Sequence, residues 1–157
     1  MNIKLIAIGK TDDSNLQQLI DHYLKRLSHY VKFELELLPD IKNSKHLSEA
    51  EQKEKEGELI LAKLAPTDQL ILLDENGKTF SSVGFSEELQ KKMNSGVKTL
   101  VFVIGGPYGF SAEVYAKAQG KISLSSMTFS HQMVRLFFIE QLYRGFTILK
   151  NEPYHHQ

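Results

Sequence analysis

The chain has 157 residues, 41% of them hydrophobic and 24% charged, as in one ordinary globular domain, and we expect residues 1–157 to form a single domain. It contains no cysteine, which excludes disulfides, thiolate zinc sites and cysteine nucleophiles. Its 19 basic and 19 acidic residues cancel, so the composition does not support a protein that binds nucleic acid mainly by neutralising phosphates.

Strand and helix patterns alternate from one end of the chain to the other. Short apolar or alternating runs predict strands at residues 3–8, 33–38, 69–73, 100–104 and 122–125. Apolar positions three and four apart, several of them after a capping serine, predict helices at about 14–27, 48–64, 86–94, 111–119 and 130–150. This alternation predicts an α/β fold, in which a largely parallel sheet carries helices on both faces.

The sequence lacks the motifs of several common enzyme classes and site types. There is no G-x-x-x-x-G-K-[ST] nucleotide loop and no G-x-S-x-G nucleophile turn. Apart from the adjacent pair His155 and His156, the histidines lack metal-ligand spacing, so we expect no metal. No apolar run is long enough for a membrane span and the N-terminus has no signal-peptide layout, so we expect a cytoplasmic protein without membrane contact.

A glycine-rich loop, Gly105-Gly-Pro-Tyr-Gly109, follows the apolar strand at 100–104. Glycines let a backbone turn sharply and bring its N–H groups close to a ligand. The spacing is not that of a dinucleotide-binding fingerprint, and no acidic residue follows about 20 residues later. The loop therefore indicates either a small-molecule site at Gly105 or a plain strand-to-helix turn.

Three loops are expected at the carboxyl ends of the strands, after Leu73, Ile104 and Leu124. Ligands in open α/β sheets bind at that edge, so the loops predict one shared cofactor site. The loop at 124–129 is small and polar, and its backbone amides and hydroxyl groups could meet the edges of a purine. Capping of the last helix by Thr128 or Ser130 is the competing interpretation.

The last predicted helix, at 130–150, is apolar around most of its circumference. A surface helix needs an apolar arc of only about 100° or slightly more. We favour a symmetric dimer with this helix at the interface, and the alternative is a helix internal to its own domain. Arg135 and Arg144 are polar exceptions on this helix and are candidates for function. Glu140 stands four residues before Arg144, a spacing that makes a helix ion pair.

An ordered set of motifs resembles the SPOUT-class pseudouridine N3-methyltransferases of the large ribosomal subunit. The resemblance covers the chain from the first strand to the terminal Tyr-His. It is carried by Phe102-Val-Ile-Gly-Gly-Pro-Tyr-Gly-Phe110, Leu124-Ser-Ser-Met-Thr-Phe-Ser-His131, Arg135, Glu140-Gln-Leu-Tyr-Arg144 and Pro153-Tyr-His155. Two positions depart from the family pattern: Ser130 stands where proline is common, and the chain continues past Tyr-His with His156 and Gln157.

The resemblance implies a parallel-sheet fold whose C-terminal part forms a trefoil knot, a homodimer, and S-adenosylmethionine bound in the knot. It implies that the cofactor contacts are Leu73, Gly105, Leu124, Ser125, Ser126, Met127, Thr128 and Phe129. These positions fall on the three loops expected to meet at one edge of the sheet. The implied reaction is methylation of N3 of a pseudouridine in large-subunit (23S) rRNA, on the assembled ribosome.

The C-terminal tail is the remaining candidate. Pro153 prevents the last helix from continuing, so the tail is either a frayed end or a folded part of the site. In the functional interpretation, Tyr154 and His155 fold over the cofactor pocket of the same or the partner subunit and join Arg144. Neutral histidine could accept the N3 proton, whereas arginine, which cannot give up its own proton, would stabilise the resulting anion.

Two other functions remain open on the sequence. One is a knotted methyltransferase that acts on tRNA or on another rRNA base. The other is a non-catalytic ribosome-binding module that keeps a cofactor-like pocket. The first would be identified by the RNA that receives a labelled methyl group from the cofactor. The second would show no heat of binding when S-adenosylmethionine is titrated into the protein.

Overall fold

The computed structural model of the protein describes residues 1–156. Its strands are β1 (Asn2–Ile8), β2 (Phe33–Leu38), β3 (Gln69–Thr79), β4 (Thr99–Ile104) and β5 (Gly120–Ser123). Its α-helices are α1 (Ser14–Leu27), α2 (Glu49–Leu61), α3 (Ser82–Asn94), α4 (Ala112–Lys117) and α5 (His131–Leu149). A short 3₁₀ turn (Ser44–His46) precedes α2.

The five strands form one sheet in the order β2-β1-β4-β3-β5, and every neighbouring pair is parallel. The predicted α/β fold with a parallel sheet is therefore confirmed. Because all strands run the same way, the loops after β3, β4 and β5 leave from the same edge of the sheet. The trefoil knot implied by the resemblance stays a prediction.

Side chains that alternate along the central strands divide the core into two layers. Ile3 and Leu5 of β1 lie in one apolar cluster with residues of α1, α3 and α5. Ile6 of the same strand lies in a second cluster with Ile60 of α2 and Val114 of α4. Helices therefore cover both faces of the sheet, as predicted, and both faces of the central strands are buried.

The third strand departs from the prediction. It was expected to end at Leu73, before the turn-like residues 74–77, but pairing with β5 resumes beyond them. Both Leu73 and Lys78 pair with Ile122, so residues 74–77 form a bulge inside the strand. A side chain on Gly77 would lie 2.6 Å from the backbone of Ile122, which is why the strand returns to its neighbour at a glycine.

Some boundaries also differ from those predicted. The helix expected from 86 begins at Ser82, because the hydroxyl of Ser81 accepts the N–H of Gly84 and caps it four residues earlier. The last strand covers 120–123 rather than 122–125. No helix within residues 1–156 is long and apolar enough to cross a membrane.

The last helix is internal to the protein's own core. α5 packs against α1 and α3, and its residues Phe138, Ile139 and Leu142 are fully buried. The alternative of a helix internal to its own domain therefore describes most of α5. Met133 and Phe137 do remain exposed on α5, and the dimer itself stays a prediction.

Candidate functional site

A cleft of about 430 Å³ opens at the carboxyl ends of β3, β4 and β5. The loops after Leu73, Ile104 and Leu124 all line it, so the predicted convergence of three sequence-distant loops is present in the fold. Of the residues predicted to contact the cofactor, those that line the cleft are Leu73, Gly105, Leu124, Ser125, Met127, Thr128 and Phe129. Ser126 is exposed and is not among the lining residues.

The loop at 124–129 is shaped by its own serines. The backbone N–H of Met127 donates to the hydroxyl of Ser125, at 2.9 Å, and the hydroxyl of Ser123 donates to the carbonyl of Ser125, at 3.0 Å. Ser130 caps α5 by accepting the N–H of Met133, so the capping interpretation is confirmed for Ser130. The cap of α5 thus falls on Ser130, which does not line the cleft, whereas Thr128 does line it.

Acidic side chains that the sequence analysis did not single out stand at one side of the cleft. Asp74 and Glu75 lie in the bulge of β3 and line the cavity. The hydroxyl of Tyr115 donates to Asp74, and burial together with this carboxylate raises the pKa of Tyr115 to about 12. The signal was present in the sequence, because an acidic pair follows the apolar run of β3 directly.

Arg144, Tyr154 and His155 form a compact cluster at the C-terminal end of α5. Arg144 Nη1 lies 3.2 Å from His155 Nδ1, and its guanidinium lies over the Tyr154 ring, 4.7 Å from the centroid. Glu140 Oε1 accepts from Arg144 Nη2 at 2.6 Å and from the Tyr154 hydroxyl at 2.9 Å. These bonds to Glu140 raise the pKa of Arg144 above its usual value. Tyr154 and His155 are thus held against α5, and of the two interpretations the frayed end is wrong for these residues.

Two side chains of α1, Tyr23 and Arg26, contact Tyr154. The hydroxyl groups of Tyr23 and Tyr154 are 3.2 Å apart, and Arg26 lies over the rings of Tyr143 and Tyr154 at 4.5 and 5.2 Å. Burial and the hydrogen bonds to Tyr23 and Glu140 raise the pKa of the Tyr154 phenol well above its ordinary value. Tyr154 is therefore a hydrogen-bond donor at neutral pH.

The structure separates the two histidines of the tail. His155 contacts Arg144, whereas His156 is exposed. Because a guanidinium has only donors, Nδ1 of His155 must be the acceptor, and a neutral ring then carries its proton on Nε2. The lone pair of His155 thus faces Arg144.

The cluster and the cleft lie apart within one chain. None of Arg144, Tyr154 and His155 lines the cleft. A second cavity of about 360 Å³ adjoins both regions, because it shares Leu124 and Phe129, among others, with the cleft and is also lined by Glu140. The position of Tyr154 and His155 over a cofactor pocket, of the same or of the partner subunit, therefore stays a prediction.

Arg135, the other candidate on α5, joins the helix to the end of β1. Its side chain is 1% exposed, and its guanidinium donates to the carbonyl of Ile8 at 2.7 Å and to the hydroxyl of Thr11 at 3.0 Å. Burial lowers its pKa below the usual value. The contacts of Arg135 are therefore those of a residue that holds the fold together.

No group of three or more histidine, cysteine, aspartate and glutamate side chains is arranged to hold a metal ion within residues 1–156.

Comparison with known proteins identifies the family. The model of a family described as "Predicted SPOUT methyltransferase" matches residues 1–155. Proteins named "Ribosomal RNA large subunit methyltransferase H" from Flavobacterium johnsoniae, Christiangramia forsetii and Bacteroides thetaiotaomicron are 84%, 66% and 51% identical to the chain over 157 residues. Each alignment covers 100% of this chain and 100% of the relative. The chain therefore belongs to the SPOUT methyltransferase family.

Proposed function

We propose that the protein methylates N3 of a pseudouridine in 23S rRNA, using S-adenosylmethionine, on the assembled ribosome in the cytoplasm. The relatives over the full length of the chain are named as large-subunit rRNA methyltransferases, which supports the substrate class. The observation that carries the reaction is the Arg144–His155 pair, since it combines a permanent cation with a titratable nitrogen at 3.2 Å.

The cleft suits the proposed cofactor. Its volume of about 430 Å³ falls within the roughly 300–1,000 Å³ usual for small-molecule sites. Backbone amides of the loops beginning at Gly105 and Leu124 would bind the purine and ribose, and the carboxylates beside Leu73 would favour the positively charged end of the ligand. When bound, S-adenosylmethionine supplies an electrophilic methyl group on a sulfonium centre.

In this proposal, the cluster handles the proton of N3. That N–H lies between two carbonyl groups of the base and must lose its proton for N3 to act as a nucleophile. The base would displace the contact between Nη1 of Arg144 and Nδ1 of His155. Nη1 then donates to a carbonyl oxygen of the base, where it stabilises the anion, and the freed Nδ1 accepts the N3 proton. Glu140 keeps the guanidinium oriented through two hydrogen bonds.

We further propose that the active unit is a homodimer in which the tail of one subunit completes the cleft of the other. Two observations support this arrangement: the cluster does not line its own cleft, and apolar side chains are exposed beside that cleft. Met127 is 76% exposed, and the exposed rings of Phe129 and Phe137 are 4.9 Å apart. A second subunit on this surface would bury them. Sedimentation at micromolar concentration tests the dimer, and a monomer would contradict it.

Transfer of label to RNA tests the reaction and its substrate. Purified protein and methyl-labelled cofactor are incubated separately with 70S ribosomes, 50S subunits, protein-free 23S rRNA and bulk tRNA. We expect label in a modified uridine of 23S rRNA and the highest yield with 70S ribosomes, because a chain with no net charge needs contacts from the assembled particle. Label in tRNA would instead support the alternative of a related methyltransferase with another target.

Calorimetry tests the non-catalytic alternative. Titration with S-adenosylmethionine in the absence of RNA should give a saturable heat of binding. A protein that binds ribosomes without any heat from the cofactor would be a binding module, and the proposed reaction would then be wrong.

A further inference from the structure

Glu56 on α2 is a buried acid to which neither the cleft nor the cluster gives a role. It is 3% exposed, whereas Glu54 and Glu58 beside it on the same helix are exposed. Burial raises its pKa above the ordinary value, which reflects the cost of keeping a carboxylate out of water. Burial of a carboxylate costs free energy unless hydrogen-bond donors surround it, so Glu56 needs specific partners.

The partners of Glu56 connect it to the glycine loop of the cleft. Its Oε1 accepts from the side-chain amide of Gln52 at 2.9 Å, and the backbone N–H of Gly106 lies close enough to the carboxylate to lower its pKa, against the larger effect of burial. The carbonyl of Gly106 in turn accepts the N–H of Gly109 at 3.2 Å. Gly106 is therefore held by a hydrogen bond within the loop on one side and has the carboxylate of Glu56 against it on the other.

Two glycines allow α2 to approach the loop this closely. A Cβ atom built on Gly106 would lie 2.0 Å from Oε2 of Glu56, and one on Gly57 would lie 2.5 Å from the hydroxyl of Ser111. Ser111 caps α4, immediately after the loop. Helix α2 thus contacts the segment 106–111 at both ends, on the side away from the cleft.

We propose that Glu56 is a positioning residue, which holds the Gly105–Gly109 loop in the shape that binds the methyl-donor cofactor. A carboxylate accepts backbone N–H groups about twice as strongly as a neutral acceptor does, and it can accept from Gly106 and Gln52 together. The inference rests on the proposed cofactor site and adds that α2, which does not line the cleft, sets its affinity.

The test is the affinity for S-adenosylmethionine, measured by calorimetry without RNA. Glu56→Ala should raise the dissociation constant at least about tenfold, since a hydrogen bond to a charged group is lost at the loop. The KM for the cofactor should rise similarly, with kcat little changed at saturation. Glu56→Gln should remain within about threefold of the parent, because Gln52 can rotate its amide to offer oxygen to the new side chain. Glu58→Ala, an exposed change on the same helix, is the control and should bind normally.

A double-mutant cycle separates positioning from a general loss of stability. Gly106→Ala should also weaken binding at least about tenfold, because its methyl group displaces the carboxylate. In the Glu56→Ala background the same methyl group has space, so the double variant should bind no more weakly than Gly106→Ala alone. Fully additive losses would overturn the proposal. If Glu56→Ala does not fold, Gly106→Ala decides alone: an unchanged dissociation constant overturns the proposal.

Hydrogen exchange supplies a readout that needs no cofactor. In the free protein, the amide of Gly106 should exchange at least about tenfold faster in Glu56→Ala than in the parent, with the core of β4 unaffected. Equal exchange at Gly106 would overturn the proposal. If the parent itself shows no heat with the cofactor, the proposed function fails, whereas normal binding by both Glu56→Ala and Gly106→Ala overturns only the role of Glu56.

Discussion

The cleft is a cavity between loops, whereas the cluster is a set of side chains in contact with one another. The cleft is lined by three loops at the carboxyl ends of β3, β4 and β5, and its carboxylates are those of Asp74 and Glu75. The cluster consists of the side chains of Arg144 on α5 and of Tyr154 and His155 in the tail, and hydrogen bonds to Glu140 hold Arg144 and Tyr154 in place. The cleft can therefore be altered by adding atoms to a loop, whereas the cluster can be altered by removing a functional group. Substitutions in the two regions should separate binding from chemistry.

The largest effect should follow from filling the cleft. In Gly105→Val the new side chain would start 3.1 Å from the ring of Phe110, so the loop must move or the side chain must enter the ligand space. We expect the affinity for S-adenosylmethionine to fall at least about a hundredfold in calorimetry, with the oligomeric state unchanged. Gly84→Val, on α3 and outside the cleft, is the matched control. Normal cofactor binding by Gly105→Val would mean that the pocket is elsewhere.

Removal of the tail should abolish the chemistry while leaving cofactor binding in place. A chain that ends at Pro153 lacks Tyr154 and His155, and turnover on ribosomes should fall at least about a hundredfold because the proton acceptor is gone. Calorimetry should still detect cofactor binding. Loss of the contact between the Tyr154 and Tyr143 rings should lower the free energy of unfolding by about 1 kcal/mol. A fully active truncated enzyme would show that the cluster has no part in the reaction.

A change of shape at constant charge should have a smaller effect. Arg144→Lys keeps the cation but loses the planar group that donates twice to Glu140 and contacts His155. We expect kcat to fall about tenfold to a hundredfold, with the KM for the cofactor unchanged. Lys150→Arg, at the exposed end of α5, is the control. A rise in the KM for the cofactor with normal kcat would place Arg144 in cofactor binding instead.

We expect the smallest effect from removal of the hydroxyl group of Tyr154. Tyr154→Phe loses the hydrogen bonds to Glu140 and Tyr23 but keeps the ring beside Arg144, so kcat should fall about tenfold or less. The raised pKa of Tyr154 means that the neutral form persists above pH 10, so the phenol does not titrate in the working range. The pH–rate profile of the variant should therefore keep its midpoints. A shifted midpoint would make Tyr154 the titrating group.

The cleft was the more predictable of the two regions. Strand patterns that end at Leu73 and Ile104 place their loops at one edge of a parallel sheet, whatever the details of packing. The errors were local: a bulge at 74–77 interrupts β3 without ending it, and Ser81 rather than Ser86 starts the region of α3. Both depend on contacts with other elements that periodicity does not contain.

The cluster and its surroundings were less predictable. The spacing of Glu140 and Arg144 indicated an ordinary helix pair, and only the fold shows that Tyr154 shares the same carboxylate. The position of the tail on its own α1 depends on aromatic packing across distant residues. Glu56 could not be identified, because α2 is rich in acidic residues and nothing local marks which one faces the loop.

Mixed dimers test the central claim that the cleft of one subunit and the cluster of the other form one active site. Gly105→Val has a damaged cleft with an intact cluster, and Arg144→Ala has the reverse, so both homodimers should be inactive on ribosomes. The two variants can be co-expressed with a different tag on each chain. Purification through both tags in succession then isolates the mixed dimer. Its one site with both parts intact should restore about half of the parent activity. A mixed dimer as inactive as the two homodimers would contradict the account.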